Sequence, residues 1–475
     1  MTTTDVFTQP GVYENAVLQK HSLPLREWQK EALTAWEKNS NIGVIEAVTG
    51  SGKSLVGILA AARALDKNMA VVIVVPKKVL QEQWIKELKK YFPQYGLVGG
   101  IGGEYGNTYN WRSMIPRAGR IVVAVVNTFA SNPDLHPESD VPTLLIADEV
   151  HNYSGKSFRQ VLNKDFIWRM GLTATLEPQD GRYWVFARYF GDLPIYTYGF
   201  KRALADRSVS RYSVMLIRVE LDQNKLEEYQ RWSGYAKYYR SHIIEKTGIT
   251  FAFDKVHREI SDLKEKRICL SEINSWEEAM NAADEILAES ESKASAVSQV
   301  SSLIANRGNS IVFSDSVRLA NLTQDVLAES GLKSAIIKAG VPDRQRTLYF
   351  SQLKQKQIQA LISPRALDEG VNLENLTVGL FVGVRRRRLQ LVQRLGRVLR
   401  YDENKAHPLV IIPVNRGTWE DPFVPGNELL ENSPLGMIVE NADQIHSLDV
   451  SDHEAIKSVL QGYMISEEGN FKLCA

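Results

Sequence analysis

Eight residues, AVTGSGKS from Ala47 to Ser54, carry the clearest chemistry in the chain. The run IGVIEA before them suits a buried strand and LVGILAAARAL after them suits a helix, so the loop falls where a helix N-terminus can face an anion. Backbone N–H groups of Thr49, Gly50, Ser51 and Gly52 would surround phosphate oxygens, since glycine permits both the turn and the close approach. Lys53 offers a positive charge to the β- and γ-phosphates, and Ser54 offers a hydroxyl to Mg2+. A second constellation follows about a hundred residues later, where the apolar run TLLIA delivers Asp148 and Glu149 at its end. Asp148 would hold Mg2+ directly or through water, and Glu149 would position or deprotonate a water attacking the γ-phosphate. An acidic pair after a strand ordinarily just faces solvent; downstream of a phosphate loop it reads as the loop's companion.

These residues need a scaffold. LPLREWQKEALTAWEK, with Pro24 at its start and Leu25, Trp28, Ala32, Leu33 and Trp36 at helical spacing, predicts an amphipathic helix running into the loop's strand, with Arg26 and Gln29 at its beginning. AVVIVVPKKVLQEQW, RIVVAVVNTFAS, TLLIADEVH and WRMGLTATLE are short apolar runs ending in polar residues, the pattern of buried parallel strands. In open α/β sheets ligands bind at the carboxyl ends of strands, so these polar tails converge on one site.

The chain as a whole bounds the answer. At 475 residues it exceeds what one core supports, and 44% hydrophobic with 24% charged residues is ordinary globular composition. Net charge is +1, so any surface for a polyanion must be local. Cys269 and Cys474 have no metal-ligand spacing around them, which favours a reducing compartment without structural zinc. The N-terminus lacks a secretory pattern and the apolar runs are strand-length, so no membrane span and a cytoplasmic location are expected, or nuclear if the source is eukaryotic. The expected organisation is a lead-in over 1–20, an α/β domain over 21–215, a charged helical connector over 216–307, a second α/β domain over 308–415 and an acidic extension over 416–475 with no legible motif. In the connector, Tyr229, Trp232, Tyr235 and Tyr239 alternate with Arg231, Lys237 and Arg240. Aromatics among basic residues can stack bases, but a stripe at this spacing is more often a packing face.

AVTGSGKS with alanine first, DEVH at Asp148 to His151, TAT at Thr173 to Thr175 and QRLGRVLR at Gln393 to Arg400 together resemble motifs I, II, III and VI of superfamily 2 helicases. The LREWQ entry, VVPKKVLQEQW and GLTATLE are similar to the XPB-like and related bacterial branch. The resemblance covers residues 24 to 210 and 308 to 413, and implies α/β architecture with two tandem RecA-like domains of parallel strands plus the helical connector. It further implies ATP and Mg2+, with Arg26 and Gln29 beside the nucleotide and Gln29 on the adenine. His151, Thr173 and Thr175 would couple hydrolysis to domain movement. Gln393, Arg397 and Arg400, which share one helix face, would reach the nucleotide, Arg397 and Arg400 as arginine fingers. Loops after strands would grip nucleic-acid phosphates: Pro76 to Lys78 including Lys77, Asn127 with Thr128, Ser314 with Asp315, and Ser363 to Arg365. Arg385 to Arg388 could join them or serve a domain interface. The segment ahead of Pro24 is too short for the accessory domain of larger XPB proteins, so a minimal motor recruited by protein partners is expected. The implied function is a DNA helicase or translocase in repair, recombination or defence, with DNA favoured over RNA. The alternatives are an RNA helicase, or an ATP-gated interaction subunit of a repair, restriction or phage-defence complex.

Overall fold

The computed structural model describes residues 11–20, 25–94, 97–105, 120–132, 141–162, 166–176, 183–191, 193–251, 256–364, 376–383, 394–396, 398–400, 406–425 and 433–464. The chain divides into two compact units, Met1–Phe200 and Lys201–Ala475.

The first unit is built on β1 (Ile42–Ala47), β2 (Ala70–Val75), β3 (Val98–Ile101), β4 (Ile121–Val125), β5 (Thr143–Asp148), β6 (Trp168–Thr173) and β7 (Tyr196–Tyr198). They form one sheet in the order β3-β4-β2-β5-β6-β1-β7, every pair parallel. Parallel strands covered on both faces need apolar side chains in both directions, which is why AVVIVV and TLLIAD are buried along their whole length. Each fully buried Val, Leu or Ile there contributes roughly 1.5–3 kcal/mol. The Glu27–Lys38 helix turns Trp28, Ala32, Leu33 and Trp36 inward. Trp28 stacks on Tyr198 with ring centroids 4.5 Å apart, and the Trp36 indole donates to the Arg169 carbonyl at 2.9 Å. The helix start is thereby fixed beside the β1 loop.

The second unit repeats this plan strand for strand. β8 (Ser213–Val219), β9 (Ser310–Ser314), β10 (Ser334–Ile336), β11 (Ala360–Pro364), β12 (Val378–Phe381), β13 (Leu409–Asn415) and β14 (Gln444–Asp449) lie in the order β10-β11-β9-β12-β13-β8-β14, again all parallel. β8 takes the place of β1 and β14 that of β7. The expected boundary at 215/216 cuts β8 in two, because its run VMLIRV gains its meaning only by pairing with β13 and β14. The expected connector is accordingly an insertion within the second unit, between its first and second strands, where the first unit carries the phosphate loop. It opens with Asp222, whose carboxylate caps the Gln223–Thr247 helix by accepting from the Asn224 and Lys225 N–H groups. That helix and Leu270–Ala288 enclose a separate cluster of Ile243, Phe251, Ile260, Leu263 and Ile273.

The acidic extension is likewise part of the second unit. It supplies β14, and its His453–Gln461 helix sends Ile456 and Leu460 into the core. Buried Arg307 holds this end in place, donating to the carbonyls of Tyr463, Thr377 and His407. Desolvation lowers the Arg307 pKa to about 10, still fully charged at neutral pH. Along the aromatic stripe, Tyr229 is buried and its hydroxyl accepts from the Trp419 N–H at 3.0 Å, while Arg240 lies over the Phe251 ring. Tyr235 is exposed, and Trp232 and Tyr239 are half-buried. Among the described residues no helix is long and apolar enough to cross a membrane.

Candidate functional site: a phosphate loop facing a buried acidic pair

At the carboxyl end of β1 the chain makes the turn that glycine allows. Gly50 and Gly52 have φ of +85° and +97°, and Gly52 is the residue from which the Lys53–Asp66 helix starts. The Val48 N–H donates to the Tyr198 carbonyl, tying the loop to β7. Arg26 and Gln29 hold it from the other side. The Arg26 guanidinium donates to the Ser51 carbonyl at 2.8 Å, and the Gln29 amide donates to the Gly52 carbonyl at 3.2 Å while accepting the Arg26 N–H at 2.9 Å. The helix expected to sit beside the nucleotide is thus bonded to the loop's own backbone. A Cβ on Gly52 would lie 3.0 Å from the Gln29 Nε2, so glycine is also needed for this approach.

Lys53 points back across the loop. Its Nζ is 3.6 Å from the Glu149 carboxylate, beyond a good hydrogen bond, and is a buried donor with no hydrogen-bond partner; Thr49 Oγ1 and Ser51 Oγ are in the same condition. Such groups cost roughly 1–3 kcal/mol each when left unsatisfied. A polyanion set among them would satisfy all three, so the donor set fits phosphate. Ser54 is exposed at the first turn of the helix.

Asp148 ends β5 and is buried. Its Oδ2 accepts the Trp84 indole N–H at 2.7 Å and its Oδ1 accepts the Glu149 backbone N–H at 3.0 Å. Burial, reinforced by the Glu149 charge, pushes its pKa up to about 6, against the pull of Lys53 and the indole. A buried carboxylate at this position is electrostatically short of cations, and Mg2+ would supply one. Glu149 follows with φ +47° and ψ +51°, a left-handed turn that brings its side chain beside Lys53 and His151. His151 Nδ1 is 3.0 Å from Thr173 Oγ1, and that hydroxyl donates its single hydrogen to the Thr175 carbonyl at 2.6 Å. The hydrogen between His151 and Thr173 therefore belongs to Nδ1. The Leu176 N–H donates to Glu46 of β1, which fixes the TAT segment next to the loop strand.

The structure gathers Arg26, Gln29, Thr49, Gly50, Ser51, Gly52, Lys53, Asp148, Glu149, His151, Thr173 and Thr175 along the carboxyl ends of β1, β5 and β6. Pro76 and Lys77 follow β2 in the same unit, and Thr128 follows β4. In the second unit Ser314 ends β9 and Ser363 lies in β11, two neighbouring strands. Arg400 is exposed and forms an isolated antiparallel bridge with Val209. Gln393, Arg397, Arg365 and Arg385 to Arg388 lie outside the described residues.

Three residues escaped the sequence reading. Trp84 ends the run VLQEQW, and nothing local in the sequence links it to Asp148. The buried Tyr153 hydroxyl reaches the carbonyls of Val74 at 2.8 Å and Asp148 at 3.0 Å, binding the ends of β2 and β5 together. In the second unit, buried Arg394 donates to Asp315 at 3.2 Å.

A sheet order repeated in both units, with a phosphate loop and a strand-end acidic pair in the first, defines an ATPase of the tandem RecA-like class. Comparison with known proteins extends this. Residues 22–178 match the family model "Type III restriction enzyme, res subunit" and residues 292–402 match "Helicase conserved C-terminal domain". The DNA 3'-5' translocase XPB2 of Sulfurisphaera tokodaii is 26% identical over 404 residues, covering 84% of each chain. The DNA 3'-5' helicase XPB of Kineococcus radiotolerans is 32% identical over 160 residues, 33% of this chain and 27% of that protein. Among solved structures, S. cerevisiae Dbp5 bound to RNA and ADP BeF3 aligns over 95% of this chain and 97% of its own, with TM-score 0.57 at 11% identity, a likeness of fold. The chain belongs to the superfamily 2 helicases and is an ATP-driven enzyme of that family.

Proposed function

We propose that the chain is an ATP- and Mg2+-dependent DNA translocase or helicase serving DNA repair, recombination or defence. The observation that carries the nucleotide reading is the set of buried, unsatisfied donors on Lys53, Thr49 and Ser51 opposite the Asp148–Glu149 pair. DNA is preferred as the track because the relatives over most or part of the chain are named for DNA.

The residues divide the work as follows. The loop backbone from Thr49 to Gly52, with Lys53, binds the phosphates. Ser54 and Asp148 would hold Mg2+, which when bound supplies positive charge to the phosphate oxygens. Gln29 keeps one amide hydrogen beyond its bond to Gly52, and that hydrogen is assigned to the adenine. Glu149 orients the attacking water and takes its proton; Lys53 holds the Glu149 carboxylate in place until the phosphates arrive. His151, Thr173 and Thr175 form a buried relay from Glu149 toward β6, through which the protonation and position of Glu149 are sensed. Gln393, Arg397 and Arg400 are assigned to the nucleotide, and Pro76, Lys77, Thr128, Ser314, Ser363 and Arg365 to the strand. Protein partners for recruitment belong to the same reading.

The test is ATP hydrolysis by the whole chain with poly(dT), with a matching RNA and with neither. Stimulation by DNA above RNA is expected. Stimulation by RNA alone would move the assignment to an RNA motor, and stimulation by neither would overturn the motor reading.

A further inference from the structure

The Trp84 indole touches both Asp148 and the helix opened by the phosphate loop. It lies in the Lys78–Tyr91 helix, only 3% exposed, and donates to Asp148 Oδ2 at 2.7 Å. It also rests on the helix opened by the phosphate loop: a Cβ on Gly57 would fall 2.8 Å from the Trp84 ring. Glycine is therefore needed at position 57 for the indole to pass. An indole N–H only donates, so its bond to a carboxylate is charge-assisted and one-directional. With Oδ2 on Trp84 and Oδ1 on the Glu149 N–H, both Asp148 oxygens are located while lone pairs remain for a cation.

The same helix begins at the surface assigned to nucleic acid. Lys77 is its N-cap, directly after Pro76. Gln81, one turn in and 1% exposed, donates to the carbonyls of Ile101 and Val123, both at 2.9 Å, pinning the turn to the end of β3 and the middle of β4. Thr128 packs against Gly102, the residue after Ile101, closely enough that a Cβ there would fall 2.3 Å from its Oγ1. Gln81 and Trp84 are three residues apart and share one helix face, separated by about 4.5 Å along the axis.

We propose that Trp84 is a positioning residue that fixes the Asp148 carboxylate and links it, through the Lys78–Tyr91 helix, to occupancy of the Pro76, Lys77 and Thr128 surface by a nucleic-acid strand. The inference rests on the proposed assignment of Asp148 to Mg2+ and of that surface to nucleic acid. A small tilt of the helix on strand binding moves the indole, and the indole carries the carboxylate with it. This gives the ATPase a route for nucleic-acid stimulation inside the first unit alone.

The test is Trp84→Phe in the full chain, which keeps an aromatic ring and removes the donor. The Mg2+ concentration that half-saturates binding of a fluorescent ATP analogue should rise about tenfold. The ratio of ATPase with poly(dT) to ATPase without it should fall by about fivefold or more, with poly(dT) affinity held within about twofold. A purely structural Trp84 would lower the melting temperature and leave both quantities alone, and that result overturns the proposal. Should Trp84→Phe fail to fold, the wild-type chain decides through the 15N-indole resonances of its nine tryptophans. One of them should move on adding Mg2+ with ADP and again on adding poly(dT); no movement with poly(dT) overturns the proposal. If poly(dT) neither binds the wild type nor accelerates it, the motor reading itself fails, and the Mg2+ measurement still judges the bond between Trp84 and Asp148.

Discussion

Replacing Lys293 by Met should strike the second unit hard, in a manner that depends on pH. Lys293 Nζ sits 2.7 Å from both Glu420 oxygens, and the two side chains are 0% and 1% exposed. Glu420 also accepts the Asn415 N–H at 3.2 Å, and Asn415 accepts the Ser290 hydroxyl at 2.9 Å. This network fastens the start of the Glu291–Ser295 helix to the loop after β13. Removing the ammonium leaves a carboxylate in the interior without its counter-ion, a change that costs about 3–5 kcal/mol. Burial already holds the Glu420 pKa above its ordinary value against the pull of Lys293, and in the variant it rises further. A raised folded-state pKa means that the fold prefers the protonated acid. The variant should therefore be least impaired at low pH and lose stability as pH climbs through the folded-state pKa. Lys293→Met combined with Glu420→Gln removes both charges, retains an acceptor for Asn415, and should recover most of the loss. Hydrogen exchange of peptides from β8 and β13 in urea reads the second unit separately, since two units need not unfold as one. A loss below about 1 kcal/mol, or one unchanged between pH 5 and 8, would refute the reasoning.

Other perturbations follow from the first unit. Gly57→Ala improves helix propensity by about 1 kcal/mol but drives a methyl group into the Trp84 ring, so a net destabilisation of about 1–3 kcal/mol is expected in a thermal melt, with a higher Mg2+ concentration needed to half-saturate nucleotide binding. Tyr153→Phe removes the hydroxyl shared by the Val74 and Asp148 carbonyls and should cost about 1–2 kcal/mol by the same melt. Thr173→Val deletes the acceptor for His151 and the donor to Thr175; basal ATPase should persist while strand displacement per ATP falls, measured as the ratio of unwinding to hydrolysis.

Local features were the legible ones. The loop from Ala47 to Ser54 and the pair Asp148–Glu149 announce themselves because their chemistry is set by adjacent residues and by the buried strands that deliver them. Arg26 and Gln29 were recognisable as neighbours of the loop, yet their partners are backbone carbonyls of Ser51 and Gly52, which carry no side-chain signal. Trp84 and Asp148 lie 64 residues apart, and only the sheet order brings β2's following helix over the end of β5. The second unit was harder for the same reason. β8 precedes its partner β13 by nearly two hundred residues, and the tail that completes the sheet reads as acidic and motif-free because β14 is only half-buried at an edge. The aromatic stripe on Gln223–Thr247 keeps one period throughout, while the fold buries Tyr229 and leaves Tyr235 in solvent.

The central claim is that the Lys53 site hydrolyses ATP to move on a nucleic-acid strand. Steady-state ATP hydrolysis by the wild type and Lys53→Ala, each with and without poly(dT), tests it most directly. The account predicts a DNA-stimulated rate in the wild type and none above background in the variant, whose fold is checked by its melting curve. A wild-type rate indifferent to nucleic acid, or a folded Lys53→Ala chain that still hydrolyses ATP, would contradict it.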